Sequence, residues 1–235
     1  VIRVFIGYDP VEIEAYHVLA DSIIRHASEP VTIAPINRQL LSRGWDNNQS
    51  TDFAFARFMV PSLCHFDGWA IWLDADMLLR ADIAELWALR NPDNAVQVVP
   101  KDFWPQDGTK FLGRPQRAYP ALSDGTNRKL WSAMMLMNCG KCAKLTREYV
   151  EAAPGLELHQ FKWLWPEDIG YLPNGWQHVP DLDAHDDEAK LIHWTLGGPW
   201  FDETREVDYA DEWFATRDRV AGLPVAASAT AHRAA

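Results

Sequence analysis

The apolar positions of this chain fall into short runs divided by polar turns, and the period of the runs changes along it. Ile2-Arg3-Val4-Phe5-Ile6-Gly7-Tyr8 is β-branched and aromatic and stops at a glycine, the pattern of a strand. Asp9-Pro10 follows, a capping acceptor with proline at the first helical position. Ala15, Tyr16, Leu19, Ala20, Ile23 and Ile24 recur at three-to-four spacing, which predicts a helix that Pro30 stops. Val31 to Ile36 is a second strand. A β-α-β opening predicts an α/β protein. Trp69-Ala70-Ile71-Trp72-Leu73 is an unbroken apolar run, too short for an ordinary helix, and reads as a buried strand. It ends in two carboxylates one residue apart, Asp74 and Asp76.

Residues 37–52 are polar and predict a loop. Phe53 to Leu63 reads as a helix with a single base, Arg57, which either snorkels to water or offers its planar fork to a phosphate or carboxylate. Ala81 to Trp87 predicts a short helix capped by Asp82, and Ala95 to Pro100 a strand. Residues 101–130, charged and rich in proline and glycine, carry Phe103, Trp104, Phe111 and Tyr119 and are expected to form a lid or an acceptor-side loop. Trp131 to Met137 predicts a strand and Lys141 to Ala152 a helix. Pro166-Glu167-Asp168 is either an ordinary helix start or a second acidic pair behind an aromatic cluster. His178 to Lys190 reads as a charged surface loop rather than a metal cluster. Leu191 to Thr195, with His193, is a buried strand leading into Gly197-Gly198, a turn whose bare backbone suits approach to a phosphate. Tyr209 to Val220 predicts a last helix. Residues 1–220 therefore form one domain and 221–235 a weakly ordered tail.

Composition narrows the partners. A hydrophobic share of 48% supports a sizeable core. The net charge of −11 argues against nucleic acid or an anionic membrane as the main partner. It leaves room for a phosphate-bearing small molecule whose charge a metal neutralises. No apolar run is long enough to span a membrane, and no charged-then-apolar leader precedes Val1. Cys64, Cys139 and Cys142 are too few for a disulfide framework, and Cys139-Gly140-Lys141-Cys142 is half a zinc site without its other half. The expectation is a cytoplasmic protein, free or peripheral at the inner membrane face.

Two carboxylates as close as Asp74 and Asp76 repel each other unless a cation lies beside them. In an open α/β sheet they stand where ligands bind, beyond a strand's carboxyl end. Hard oxygen ligands suit Mg²⁺ or Mn²⁺ and leave positions open for phosphate oxygens. No G-x-G-x-x-G is present, so any nucleotide is held in another way.

The order and spacing of Phe5-Ile6-Gly7-Tyr8-Asp9, Phe55-Ala56-Arg57, Leu73-Asp74-Ala75-Asp76, Ser132 to Asn138 and His193 to Trp200 resemble the retaining glycosyltransferases of family 8, which include glycogenin and bacterial lipopolysaccharide galactosyl- and glucosyltransferases. The resemblance implies a single GT-A domain, α/β and Rossmann-like, with a mixed central sheet flanked by helices. It implies hexose transfer from a UDP-sugar to a saccharide acceptor. By position, Asp74, Asp76 and His193 match the Mn²⁺ (or Mg²⁺) ligands, and Tyr8, Asp9 and Arg57 match positions at the nucleotide donor. Gly197 and Gly198 match the diphosphate turn, and Glu167 and Asp168 match the Gln-Asp pair near the reacting sugar. The closing turn lacks the family's lysine, so its backbone N–H groups or Arg57 are expected to carry more of the diphosphate. Two rival readings are a haloacid-dehalogenase-type phosphatase, whose strand also ends in D-x-D, and a non-catalytic sugar-binding protein with its 12 tryptophans as platforms.

Overall fold

The computed structural model describes residues 1–45, 49–102, 107–116, 129–130 and 132–223, with the backbone alone for 129–130. β1 (Ile2–Gly7), α1 (Ile13–His26) and β2 (Val31–Ile36) form the expected β-α-β unit. Turns and the short α2 (Val60–Leu63) lead into β3 (Trp69–Leu73), and β4 (Met77–Leu79) follows the two aspartates. Next come α3 (Ile83–Ala88), capped by Asp82, and β5 (Val96–Val98). Four two-residue strands follow: β6 (Pro100–Lys101), β7 (Gly108–Thr109), β8 (Pro115–Gln116) and β9 (Lys129–Leu130). The chain continues through β10 (Met134–Asn138), α4 (Arg147–Ala152), α5 (Gly155–His159), β11 (Ile169–Tyr171), β12 (Leu191–His193) and α6 (Ala210–Val220).

The main sheet runs β11-β5-β10-β3-β1-β2, and β10 lies antiparallel to both its neighbours. β1 pairs in parallel with β2 on one side and β3 on the other. The chain therefore leaves β1 in one direction and returns on the other side. That is a topological switch point, with its crevice between the carboxyl ends of β1 and β3. Ala70 to Leu73 and Met134 to Met137 are fully buried, so the middle of the sheet is covered on both faces, which is why these runs are apolar without alternation. A second apolar cluster of Val18, Leu78, Ile192, Trp194, Tyr209 and Trp213 ties α1, the β4–β12 pair and α6 together. Each such side chain taken out of water contributes about 1.5–3 kcal/mol. Among the described residues no helix is long and apolar enough to cross a membrane.

Three predicted elements differ. Phe53 to Leu63 is not one helix but a 3-10 turn, Ala56–Met59, followed by α2, because Pro61 fits only a first helical turn and restarts the helix. Lys141 to Ala152 is helical only from Arg147, where the Thr146 hydroxyl accepts the Tyr149 N–H and sets the start. Asp9-Pro10 does begin a helical segment, with the Asp9 side chain accepting the Val11 N–H, but its first turn is the 3-10 turn Pro10–Glu12. The expected tail from 224 onward, and Phe103, Trp104 and Tyr119 of the expected lid, lie outside the described residues.

Gly7 closes β1 against the buried Phe53 ring, and a Cβ there would lie 2.5 Å from a ring carbon. Gly7→Ala should overpack the core by about 1–3 kcal/mol and lower Tm by roughly 2–10 °C in thermal denaturation. An unchanged Tm would show that the ring yields freely.

Candidate metal centre

β3 delivers the aspartates. The Asp74 N–H donates to Ala133 O at 2.9 Å, extending the β3–β10 ladder one residue past the strand. The β4–β12 pair then brings the distant histidine in. His193 lies opposite Met77 in that register, and the Trp194 N–H donates to the Asp76 carbonyl at 3.0 Å. His193 Nε2 consequently stands 3.4 Å from Asp76 Oδ1. Asp74, Asp76 and His193 each offer one ligand atom within 4.8 Å of the others. All three are buried, at 7%, 5% and 3% exposure. Asp76 Oδ1 makes no well-formed hydrogen bond although it is shut off from water. An orphaned oxygen beside a nitrogen and a second carboxylate fits a divalent cation of the Mn²⁺ or Mg²⁺ kind.

Asp74 is anchored from behind. Its Oδ1 accepts from the Trp72 indole at 2.8 Å and lies 2.9 Å from Arg57 Nη1. Arg57 also donates to Ser132 O at 2.8 Å and to Ala54 O at 3.1 Å, and its guanidinium lies 5.5 Å from the Phe53 and Trp72 ring centres. Of the two roles open to Arg57, water and anion, the structure selects an anion, and that anion is the aspartate. Burial pushes the Asp74 carboxyl up, Arg57 pulls it back, and it rests at about 6. Burial also raises Asp76, but His193, Lys110 and Arg57 outweigh it and hold that carboxyl below its ordinary value.

Across the switch crevice, the turn after β1 contributes two more acids. Asp9 is fully committed. Its Oδ1 caps the turn at Val11 N (3.0 Å), and its Oδ2 accepts from Asp52 N (3.1 Å) and pairs with Arg114 Nη1 (2.6 Å). Tyr8 sits partly exposed at the strand end, edge-on to Tyr16. Glu12, 1% exposed, has a carboxyl with no hydrogen-bond partner on either oxygen. Burial first, then Asp76 and Asp9, raise its pKa well above the ordinary 4.5.

Residues 107–116 close over this cluster. Arg114 reaches Asp9, the Phe111 N–H donates to Leu196 O at 3.1 Å, and the Phe111 ring stacks on Phe201. Lys110 Nζ donates to Thr195 Oγ1 at 3.0 Å. Burial lowers the Lys110 pKa, and the neighbouring Asp76, Asp74 and Glu12 oppose that shift. Lys110, Arg114 and Glu12 were not legible as site residues. Only the excess of charge in a long loop pointed toward the first two.

Other expected residues are placed elsewhere. Ile169 is level with Val96, Val96 with Met137, and Met137 with Ala70. Glu167 and Asp168 precede Ile169, so they stand at the amino-terminal end of β3's level and three strands across. Strand geometry puts that roughly 20 Å from Asp74. The carboxyl pair follows a proline at an ordinary 3-10 start and does not join the cluster. At the glycine turn, the Gly197 N–H donates back to Trp194 O, and φ there is +129°. A Cβ on Gly198 would lie 2.1 Å from the Trp200 ring. The bare backbone makes room for aromatic neighbours, and the Gly197 N–H is used within the turn. His178 hydrogen-bonds the Tyr209 hydroxyl at 3.2 Å, as part of a packed loop.

The architecture is that of the GT-A glycosyltransferases. The chain superposes on the WbbM bifunctional glycosyltransferase with a TM-score of 0.67 at 16% identity, covering 95% of this chain and 50% of that one. It superposes on the galactosyltransferase LgtC, solved with donor and acceptor sugar analogs, with a TM-score of 0.61 at 14% identity over 97% of this chain and 98% of that one. It spans about half the length of the WbbM chain. At these identities the likeness is one of fold. The sequence matches no protein-family profile. It is 39% identical over 227 residues to Protein CDI of Arabidopsis thaliana, covering 90% of this chain and 84% of that protein, and belongs to the same family.

The raised Glu12 pKa has a consequence for stability. The unfolded chain loses this proton near the ordinary 4.5 while the folded protein keeps it, so above that pH the folded state binds more protons and stability falls as pH rises. Glu12→Gln removes the titration. Its Tm relative to the parent should climb as pH rises above the ordinary 4.5 and level off past the raised folded pKa, in the absence of metal and nucleotide. A parallel pair of Tm curves would contradict the assignment.

Proposed function

We propose that residues 1–220 form a GT-A glycosyltransferase domain that is divalent-metal dependent and retaining. It moves a hexose from a nucleotide diphosphate sugar, UDP-linked, to a hydroxyl of a saccharide acceptor. The observation that carries this reading is the buried Asp74–Asp76–His193 triad at the switch-point crevice of a fold shared with sugar transferases. Mn²⁺ or Mg²⁺ held by those three residues would supply a Lewis acid for the charge on the departing diphosphate. Lys110, which faces the same carboxyls, provides the monovalent cation that the glycine turn lacks. Arg57 acts one step back, by fixing Asp74. The segment 107–116 keeps water from the donor while the acceptor hydroxyl is positioned.

The distance of Glu167 and Asp168 from the triad speaks for same-face attack, in which the acceptor oxygen bonds to the anomeric carbon as the phosphate oxygen leaves and takes the proton. Transfer through a glycosyl ester on Glu167 would need that carboxyl at the sugar. A phosphatase reading makes the first aspartate the nucleophile, and here the Asp74 carboxyl is instead held through Oδ1 by Trp72 and Arg57, with Asp76 and His193 beside it as further candidate ligands.

With Mn²⁺ present, UDP-sugars should raise the Tm of the wild-type protein, and the matched donor should be turned over. Asp76→Ala should abolish both responses; undiminished metal-dependent turnover would sink the assignment. Lys110→Ala should weaken UDP binding about ten- to a hundredfold, the scale of a hydrogen bond to a charged group, as read by calorimetry.

A further inference from the structure

Glu12 is unexplained by the metal centre. The three clustered ligand positions are Asp74, Asp76 and His193. Asp9, its neighbour on the same turn, is spent on Val11, Asp52 and Arg114. Yet Glu12 is 1% exposed, and neither carboxyl oxygen has a hydrogen-bond partner. An orphaned buried polar group costs about 1–3 kcal/mol, so a fold retains one where something else uses it.

Its position indicates what that is. Glu12 ends the turn that follows β1, and its electrostatic neighbours are Asp76, Asp9, Arg114 and Asp74. It thus lies in the switch-point crevice one strand away from the aspartates, on the β1 side. A nucleoside diphosphate whose phosphates sit at β3 has its ribose on one side of them and its sugar on the other. The β1 side, where the α/β nucleotide crevice opens, is the nucleoside side. A cation does not explain Glu12, because Arg114 stands near and still makes no hydrogen bond to it. A phosphate is a poor direct partner for a carboxyl, since two anions repel without a cation between them. A hydroxyl suits a carboxyl, since each can both donate and accept when the carboxyl carries a proton.

We propose that Glu12 is a specificity residue for the donor, hydrogen-bonding the ribose hydroxyls of the bound nucleotide. The proposal rests on the nucleotide-sugar reading above and names a contact that the metal triad does not make. It also separates roles along the first turn: Asp9 builds the crevice, and Glu12 reads what enters it.

The test compares UDP with 2′,3′-dideoxy-UDP by calorimetry on the full chain with Mn²⁺. The wild-type protein should bind UDP about tenfold more tightly than the dideoxy nucleotide, the scale of a neutral hydrogen bond. Glu12→Gln, which keeps a donor and an acceptor, should retain that ratio within a few-fold. Glu12→Ala should bring the ratio to near one by weakening UDP and leaving the dideoxy nucleotide unchanged. Because the readout is a ratio, general damage to the crevice does not imitate it. Equal affinities in the wild type, or a Glu12→Ala loss shared by both nucleotides, would overturn the proposal while leaving the transferase reading intact. Failure of UDP, GDP and ADP alike to bind with Mn²⁺ would overturn both.

Discussion

The structure around the crevice depends on one constraint: carboxyl groups taken out of water must be matched by cations or keep their protons. Asp9, Glu12, Asp74 and Asp76 are all buried within the same region. An ionised carboxylate moved into a protein interior loses several kcal/mol even after relaxation. Arg57 answers Asp74 and Arg114 answers Asp9 as direct ion pairs. His193 and Lys110 hold Asp76 down, and Glu12, with no direct ion pair, has its pKa raised by burial so that it favours its proton. Each answer comes from a different part of the chain, so the acids bind together elements that the sheet alone would leave apart.

The same requirement explains features that otherwise look unrelated. The 3-10 turn at Ala56–Met59 turns Arg57 inward, where Phe53 and Trp72 rings flank its guanidinium and two carbonyls accept from its Nε and Nη1. The short β4–β12 pair, apart from the main sheet, serves chiefly to set His193 beside Asp76. The aromatic packing of Trp194, Trp200 and Trp213 behind that pair fixes the strand that carries the histidine. Rigid placement matters because a metal centre or a transferring site loosened by 1 Å loses much of its effect.

Local pattern made the opening β-α-β unit, the β3 run and the strand-end aspartates legible, since each is written in consecutive residues. The approach of His193 was available only through family resemblance, because no local pattern states that Leu191 to His193 pairs with Met77 to Leu79. Arg57 was readable as anion-facing or water-facing, and burial decided it. Glu167 and Asp168 misled for a definite reason. A motif read as a string carries no sign for strand direction, and β11 begins at the end of the sheet where β3 also begins. Gly197 and Gly198 show a different ambiguity, since a glycine vacates space for a ring as readily as for a phosphate. Lys110, Arg114 and Glu12 have no motif at all. Their role follows from electrostatics in three dimensions.

That electrostatic arrangement also limits what the crevice can receive. Asp9, Asp74 and Asp76 face Arg114, Arg57 and Lys110, with Asp52 beside Asp9 and Asp181 beside His193 and Lys110. A bare diphosphate would add two negative charges to this acid-rich set, and unpaired charge at low dielectric is unfavourable. On the proposed reading, a divalent cation arriving with the diphosphate would cancel that charge, its two halves facing the orphaned Asp76 oxygen and the Lys110 ammonium. The acids of the crevice therefore suit an anionic guest that brings its own cation, an argument separate from any likeness of fold.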